Sequence, residues 1–478
     1  MVVGAGPNGL GAAIELARSG LRVCVLEAAA EVGGGVRSEA LTQPGFLHDT
    51  CSAIHPMAAV SPFFRSLGLE RWGLAWAHAP IAAAHPLDDG TSAALLPSLD
   101  DTATGLGRDG AAYRRLMAPL VARAAALFDD VLRPARIPRH PLLSVRFGLS
   151  ALRSCASLVR HRFGAEPARA LFAGCAAHTV APLDQPGTSA IGLVLMVAAH
   201  HAGWPCVQGG SSRIASALAA CLRALGGEIH TQHPVRSMRD IPASRAVLFD
   251  LTPRQVVQIA GDRLTARYRG RLARFRYGPG VFKVDWALDG PIPWTAPACA
   301  QAATVHVGGT WAEVAAAEAD VGRGRHPERP FVLVAQQSLF DPSRAPAGRH
   351  TGWAYCHVPN GSTVDMTDAI ERQIERFAPG FRDRILARHT RSTADMERAN
   401  GNYIGGDIGG GANDLWQMLA RPVAALDPYA TSDARIFLCS SSTPPGGGVH
   451  GMCGYWAARS ALRRCFKQPA SPAPTRSP

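Results

Sequence analysis

The 478-residue sequence contains 11 cysteines but no C-x-x-C pair; they are scattered from Cys24 to Cys465. Without paired spacing they provide neither a zinc site nor a disulfide framework, so free thiols in a reducing compartment are expected, and no metal. No five basic residues run together and no basic patch is interleaved with aromatics, which sets nucleic acid aside as a partner. The longest apolar run, 190–199, is too short to span a bilayer. The chain opens on strand-like residues rather than on a leader, so a cytoplasmic protein is expected. Charged residues make up only 18% against 47% hydrophobic, which requires a generous apolar interior. A chain of this length suits two intertwined domains better than one core. The balance of 49 basic to 37 acidic residues gives +12, an arginine-rich surface that leaves peripheral contact with an anionic membrane open. Nothing in the sequence sets the oligomeric state.

What is present begins at the first residue. Val2 and Val3 lead into Gly4-Ala5-Gly6-Pro7-Asn8-Gly9, a helical pattern follows through Leu10, Ile14 and Leu16, and Gly20 stops it. A second apolar strand, Val23-Cys24-Val25-Leu26, ends in Glu27. Strand, G-x-G-x-x-G, helix, strand, acid is the dinucleotide fingerprint in its required context. Gly4 allows the sharp turn, Gly6 lets backbone approach a diphosphate, and Gly9 lets helix and strand pack. The helix N-terminus offers free N–H groups and partial positive charge, and Glu27 can accept from ribose hydroxyls. The glycines after the acid (Gly33-Gly34-Gly35), followed by Arg37, suit a diphosphate extending past the first turn, which favours FAD over NAD. No second G-x-G-x-x-G stands in strand–helix context, so a separate NAD(P) domain is not expected. The opening strand is short for such a turn, as a late start or a clipped strand would leave it.

Farther on, 41–46 reads as strand and turn, and His48, Asp49 and His55 follow on a loop that can run beside a cofactor, with a structural role the alternative for each. Residues 74–84 read as strand, with a hairpin turn at Asp88-Asp89-Gly90-Thr91. Helices are expected over 109–132, 141–161, 167–178 and 187–202; His200 and His201, about 100° apart on a helix, make a helix end rather than a metal pair. Helix, strand and strand at 212–225, 228–231 and 246–250 return to α/β text. The alternation Phe282, Val284, Trp286, Leu288 against Lys283, Asp285, Asp289 predicts a half-buried strand of a second, antiparallel sheet. Further strands are expected at 305–307, 331–334 and 353–355, a helix at 365–377, a strand at 436–439 and a last helix at 454–465. The tail from 467 has the composition of a disordered segment.

The motifs GAGPNGL, EAAAEVGGGVRS, WPCVQGGSSRIASAL, GGDIGGG and LCSSSTPPGGGVHGMCGYWAA, in that order, resemble the phytoene dehydrogenase-like flavoproteins of the carotenoid/retinoid oxidoreductase family. More narrowly, they resemble its bacterial branch related to pyridine nucleotide-disulfide oxidoreductase domain-containing protein 2. The resemblance covers nearly the whole chain and implies an α/β fold: a Rossmann-like FAD-binding domain of glutathione-reductase/amine-oxidase type with an α+β substrate domain. It implies a discontinuous FAD domain from 1–75, 196–262 and 425–466, and a substrate or cap domain from 76–195 and 263–424. Carried over residue by residue, Gly4, Gly6, Asn8 and Gly9 meet the diphosphate, Glu27 the adenosine ribose, and Gly34 and Arg37 the diphosphate side. Val235 holds the adenine end through its backbone, and Gly447, Gly448 and Val449 open the last helix under the isoalloxazine. Gly35 stands where many relatives have arginine, and Cys439-Ser440 where the wider superfamily has Gly-Asp.

The activity so implied is an FAD-dependent dehydrogenase or desaturase passing hydride from a largely apolar, isoprenoid- or lipid-like substrate to flavin N5. His450 is the candidate acid/base with Tyr455 behind it, while Cys453 suits packing better than covalent flavin attachment. Two rivals share the fold: a flavin amine oxidase, with Trp286, Trp353 and Tyr355 as an aromatic cage, and a non-enzymatic binding protein like the Rab GDP-dissociation inhibitors.

Overall fold

Short strands from five distant places, Val2–Val3, Cys24–Leu26, Glu228–His230, Val247–Phe249 and Ile436–Leu438, form one parallel sheet in the computed structural model, which describes residues 1–467. Val2–Val3 lies at its centre, with Val2 in register with Leu248 on one side and Val25 on the other. Two residues suffice there because Val2 is fully buried and both neighbours supply ladder bonds. The five strands fall within 1–75, 196–262 and 425–466.

A second sheet of seven strands, all from 76–195 and 263–424, runs in the order Ile385–Arg391, Gly280–Leu288, His350–Val358, Val332–Ala335, Ala302–Val307, Ile81–Pro86, Ser92–Leu95. It is mixed rather than purely antiparallel, because Ala302–Val307 pairs parallel with Ile81–Pro86. The hairpin at 88–91 forms as the turn residues predict, joining Ile81–Pro86 to Ser92–Leu95. A smaller pair, Trp76–Ala77 with Cys206–Val207, ties the two parts of the chain together.

Four of the expected elements differ in detail. Gly280–Leu288 is not half-buried: all nine residues are buried, because the sheet is covered on both faces. Phe282, Val284, Trp286 and Leu288 share one apolar core with Ile370, Ile374 and Phe377 of the helix Thr367–Phe377. The other face carries Lys283 and Asp285, which form a buried ion pair. The helix over 109–132 breaks into Gly110–Val121 and Ala124–Val131, and that over 141–161 into Pro141–Ala151 and Cys155–Arg162, bent by 94°. Ser154 caps the second of these through its side chain, a local stop that apolar periodicity does not register. Around Phe46, strand pairing is confined to Ser38–Glu39 with His48–Asp49 on either side of an irregular turn. All 11 cysteines are free. The expected disorder of the tail falls, apart from Lys467, outside the described residues.

The opening helix, Pro7–Arg18, packs directly on the closing helix, Met452–Cys465. Glycine makes this possible. A Cβ on Gly454 would overlap the Asn8 carbonyl, and one on Gly11 would stand 3.0 Å from Gly451 O. Between the helices Arg459 Nη1 meets Glu15 Oε1 at 3.3 Å.

Gly454→Ala is therefore expected to destabilise the protein by about 1–3 kcal/mol or more, since backbone rather than a flexible side chain must move. Gly148→Ala, with nothing within 4 Å of its Cβ, is expected to stabilise by about 0.4–1 kcal/mol. Thermal melting of the two variants beside the parent protein checks both signs.

Candidate functional site

The opening turn forms as its glycines require. Gly4 adopts φ +98° and donates to Leu26 O at 2.8 Å. A Cβ on Gly9 would overlap Gly4 O, and one on Gly34 would stand 3.2 Å from Gly6 Cα. Gly6 is the N-cap of the opening helix and has no side chain to bond the helix end. Asn8 Nδ2 reaches Ser441 Oγ at 3.3 Å, a bridge between the first and last motifs of the chain.

One cavity of about 410 Å³ runs between these motifs. Gly6, Asn8, Gly34, Gly447, Gly448 and Val449 line it on the nucleotide side. Ile191, Val194, Leu195, Leu333, Trp204 and Met418 line it on the other, joined by Trp353, Tyr355 and His178. Gly4 and Gly9 shape the turn from behind the wall. Glu27 accepts from Ala5 N at 2.7 Å and from Ala29 N at 2.9 Å, and Arg37 Nη2 pairs with it at 3.3 Å. Arg37 thus faces Glu27 and the Glu31 carbonyl and does not line the main cavity. Val235 lies in the loop after Glu228–His230, packed against the apolar cluster that holds Val3 and Val247, and does not line it either.

Three expectations need correcting. Gly447, Gly448 and Val449 do not open the last helix, which starts at Met452 after an αL N-cap at Gly451. They form the turn before it, with Gly446 at φ +110° and Gly448 at φ +120°. His450 does not face the cavity. Its Nδ1 accepts from Met452 N at 3.0 Å, and burial pushes its pKa down to about 4, so its ring braces the glycine turn against the helix. Tyr455 lies behind the wall against Phe63, ring centroids 5.2 Å apart, with burial pushing its pKa up to about 12. Cys453 is likewise internal, its thiol directed at Thr443 O and Gly446 O.

The aromatic cage loses one member to strand alternation. Trp353 and Tyr355 lie opposite Asp285 and Lys283, and Trp286 lies opposite Gly352, so Trp286 points to the other face of the sheet. There it donates to Glu371 Oε1 at 3.0 Å. Trp353 and Tyr355 line the cavity at right angles, centroids 5.2 Å apart. Gly35, in place of arginine, has a physical reason: any Cβ there would overlap the Tyr403 hydroxyl.

Of His48, Asp49 and His55, only His55 lines the cavity; its Nε2 meets Ser211 Oγ at 2.8 Å, and burial holds its pKa near 4. His48 turns to Thr42 Oγ1 at 2.8 Å. Asp49 holds Arg344 at 3.0 Å and accepts from Ser211 N at 2.8 Å, which is scaffolding. His200 bonds Tyr113 Oη at 2.6 Å and is a packing anchor near its helix end.

Three cavity residues carry no signal that motif reading could use. Asp250, just past the strand Val247–Phe249, accepts from Gly9 N at 2.8 Å. Burial, reinforced by Glu27, holds its carboxyl well above the usual range against the pull of the Gly9 and Gly6 N–H groups. Arg421 is buried, and its guanidinium donates to Ser441 O, Ala412 O and Asn413 Oδ1 at 2.8–3.2 Å. Every one of those acceptors is uncharged, and desolvation lowers its pKa. His178 caps the helix Glu166–Ala177, and its Nε2 lies 2.9 Å from Nε2 of His306. The His306 ring has space only because residue 174 is glycine, whose Cβ would stand 2.6 Å from its Nδ1. Burial pushes the His178 pKa down to about 3, so the pair is neutral, one imidazole donating and the other accepting.

Residues 2–67 match the profile of the NAD(P)-binding Rossmann-like domain family. Across 97% of the chain, the sequence is 26% identical to pyridine nucleotide-disulfide oxidoreductase domain-containing protein 2 of Rattus norvegicus, 93% of which is covered. Over 28% of the chain it is 30% identical to a limonene dehydrogenase subunit from Castellaniella defragrans, covering 24% of that protein. Among solved structures, an oxidoreductase from Methanosarcina mazei superposes with TM-score 0.65 at 15% identity, over 97% of this chain and 99% of that one. A putrescine oxidase redesigned in its cofactor binding does so with TM-score 0.60 at 18% identity, over 98% of both. The fold is thus a mixed α/β fold with a Rossmann-like nucleotide-binding domain, of the type found in the amine oxidases.

Histidines held neutral by burial make stability depend on pH. Those at 55, 85 and 450, held near 4, and His178, held near 3, stay unprotonated in the folded state while the unfolded chain takes up protons near pH 6.5. Unfolding free energy is therefore expected to fall as pH drops from 6.5 toward 4 and to be flat between pH 7 and 8 as far as these groups contribute. Urea unfolding across that range measures it, and His178→Asn should make the slope shallower.

Proposed function

We propose that the chain is an FAD-dependent oxidoreductase of the dehydrogenase or desaturase type that takes hydride from a largely apolar substrate. The observation that carries this is the single cavity lined by both glycine turns and continued by an aliphatic wall. The fit to a dinucleotide rests on bare backbone: Gly6, Gly34, Gly447 and Gly448 carry no side chains at either turn, and the opening helix starts beside the cavity with only the Asp250 carboxyl on its first turn. Gly6, Asn8 and Gly34 would hold the diphosphate, Glu27 the adenosine ribose, and Gly447 to Val449 the ring system. When bound, FAD supplies the two-electron acceptor.

The protein's own residues then have separable tasks. Ile191, Val194, Leu195 and Leu333 exclude water and orient an apolar substrate. Asp250 fixes the N-terminal turn of the opening helix by accepting from Gly9 N, with burial raising its pKa. Arg421, a buried cation among neutral acceptors, favours negative charge at the glycine turn. His178 lines the cavity with its Nε2 bonded to His306, so a proton it takes from or returns to a substrate passes through Nδ1. The identity shared with the limonene dehydrogenase chain supports an isoprenoid-like substrate, as does the resemblance to phytoene dehydrogenase-like proteins. A cytoplasmic location is part of the same proposal.

A second reading, a flavin amine oxidase, is favoured by the perpendicular Trp353–Tyr355 pair and by the putrescine oxidase fold. The purified protein is expected to be yellow, with a flavin spectrum that Gly6→Val abolishes. A preparation that stays colourless after added FAD would instead mean a binding protein of the GDP-dissociation-inhibitor kind. Under anaerobic conditions limonene or a polyene is expected to bleach the flavin and putrescine to leave it unchanged; the reverse pattern assigns the amine oxidase.

A further inference from the structure

The outer helix Pro141–Ala151 is apolar on the side it turns to solvent. Leu142, Val145, Leu149 and Leu152, the last at its C-cap, recur at i, i+3, i+7 and i+10, one stripe of a helix. They are 83%, 61%, 73% and 56% exposed, and Ile137 just before the helix is 90% exposed. Leu143 and Ala151 on the opposite side already supply the inward packing. The stripe has no counterpart among the described residues to cover it.

The charge around it is mainly basic, and the nearest acid in the chain, Asp130, is occupied by the N–H groups of Arg139 and His140 and by Ser144 Oγ at the start of the helix. Between Asp130 and Glu166 there is no acidic residue, while Arg136, Arg139, Arg146, Arg160 and Arg162 are exposed. The stripe also leads to the cavity. Gly187 N donates to Leu152 O at 3.1 Å, and a Cβ on Gly187 would stand 3.3 Å from Met418 Cε and 3.4 Å from Leu415 Cδ1. Those residues lie on the helix Leu415–Ala420, which places Met418 in the cavity wall and leaves Trp416 80% exposed.

We infer that this face, from Ile137 to Leu152 with Trp416, seats the protein on an anionic lipid bilayer beside the cavity rim. Leucines, isoleucine and tryptophan enter the acyl–headgroup boundary and the flanking arginines meet lipid phosphates. A second copy is the poorer occupant, because a two-fold contact would set the acid-free basic segment against itself. No single helix among the described residues is long and apolar enough to cross a membrane, so the contact is interfacial. The inference goes beyond the cofactor reading and does not require it.

Flotation of the full chain with phosphatidylcholine vesicles, with and without phosphatidylglycerol, tests the surface. Binding to the anionic vesicles is expected to exceed binding to neutral ones by at least about ten-fold and to weaken with salt. The variant Leu142→Ser/Leu149→Ser/Trp416→Ser, outward-facing at all three positions, is expected to lose that binding with its melting temperature and flavin spectrum unchanged. Arg136→Gln/Arg146→Gln is expected to weaken only the anionic preference. No flotation with either vesicle, or equal flotation of parent and triple variant, overturns the proposal. So does a dimer in light scattering that the triple variant turns into monomer, since a second copy would then cover the stripe. An absent flavin spectrum with flotation intact would count against the cofactor reading alone.

Discussion

The contact on which the site depends is backbone against backbone, where the opening helix meets the closing one. Gly454 lies against the Asn8 carbonyl and Gly11 against Gly451. Because no side chain separates them, residues more than 440 positions apart share one wall, and the glycine turns that precede both helices open into one cavity. The buried pair Arg459–Glu15 crosses the same seam. Burial raises the Glu15 pKa while Arg459 lowers it, so the pair adds register more than stability.

The nucleotide sheet extends this seam. Asp250 follows the strand beside Val2–Val3 and holds Gly9 N, so a third part of the chain is fastened to the same helix turn. An ionised carboxylate there would oppose any phosphate on the helix N-terminus. Burial raises the Asp250 pKa and so weakens that opposition.

The second sheet works by two-sided burial. Its outer face is filled by Trp286 and its aliphatic neighbours against the helix Thr367–Phe377, and its inner face presents Trp353, Tyr355 and the Lys283–Asp285 pair toward the nucleotide domain. A charged pair is tolerated there only because its members neutralise each other. Loss of Asp285 would leave the Lys283 ammonium buried without its carboxylate.

Local chemistry made much of this legible from residues alone. The G-x-G-x-x-G turn, its helix and the strand ending at Glu27 follow from conformational demands spanning fewer than about 30 residues. The alternation in 282–288 and the hairpin at 88–91 are likewise short-range. What could not be read was which face of each element would meet which partner. Period-two alternation separates Trp286 from Trp353 only once the strand register is known, and nothing near His450 tells that its ring turns inward to cap Met452. Asp250, His178 and Arg421 carry no motif, because their surroundings are assembled from segments far apart in the chain. The sequence by itself determined the nucleotide turn and the kinds of elements around it, since backbone geometry at glycine and side-chain periodicity act over a few residues. Only the tertiary structure decided which side chains face the cavity, because burial and strand register belong to the packed chain as a whole.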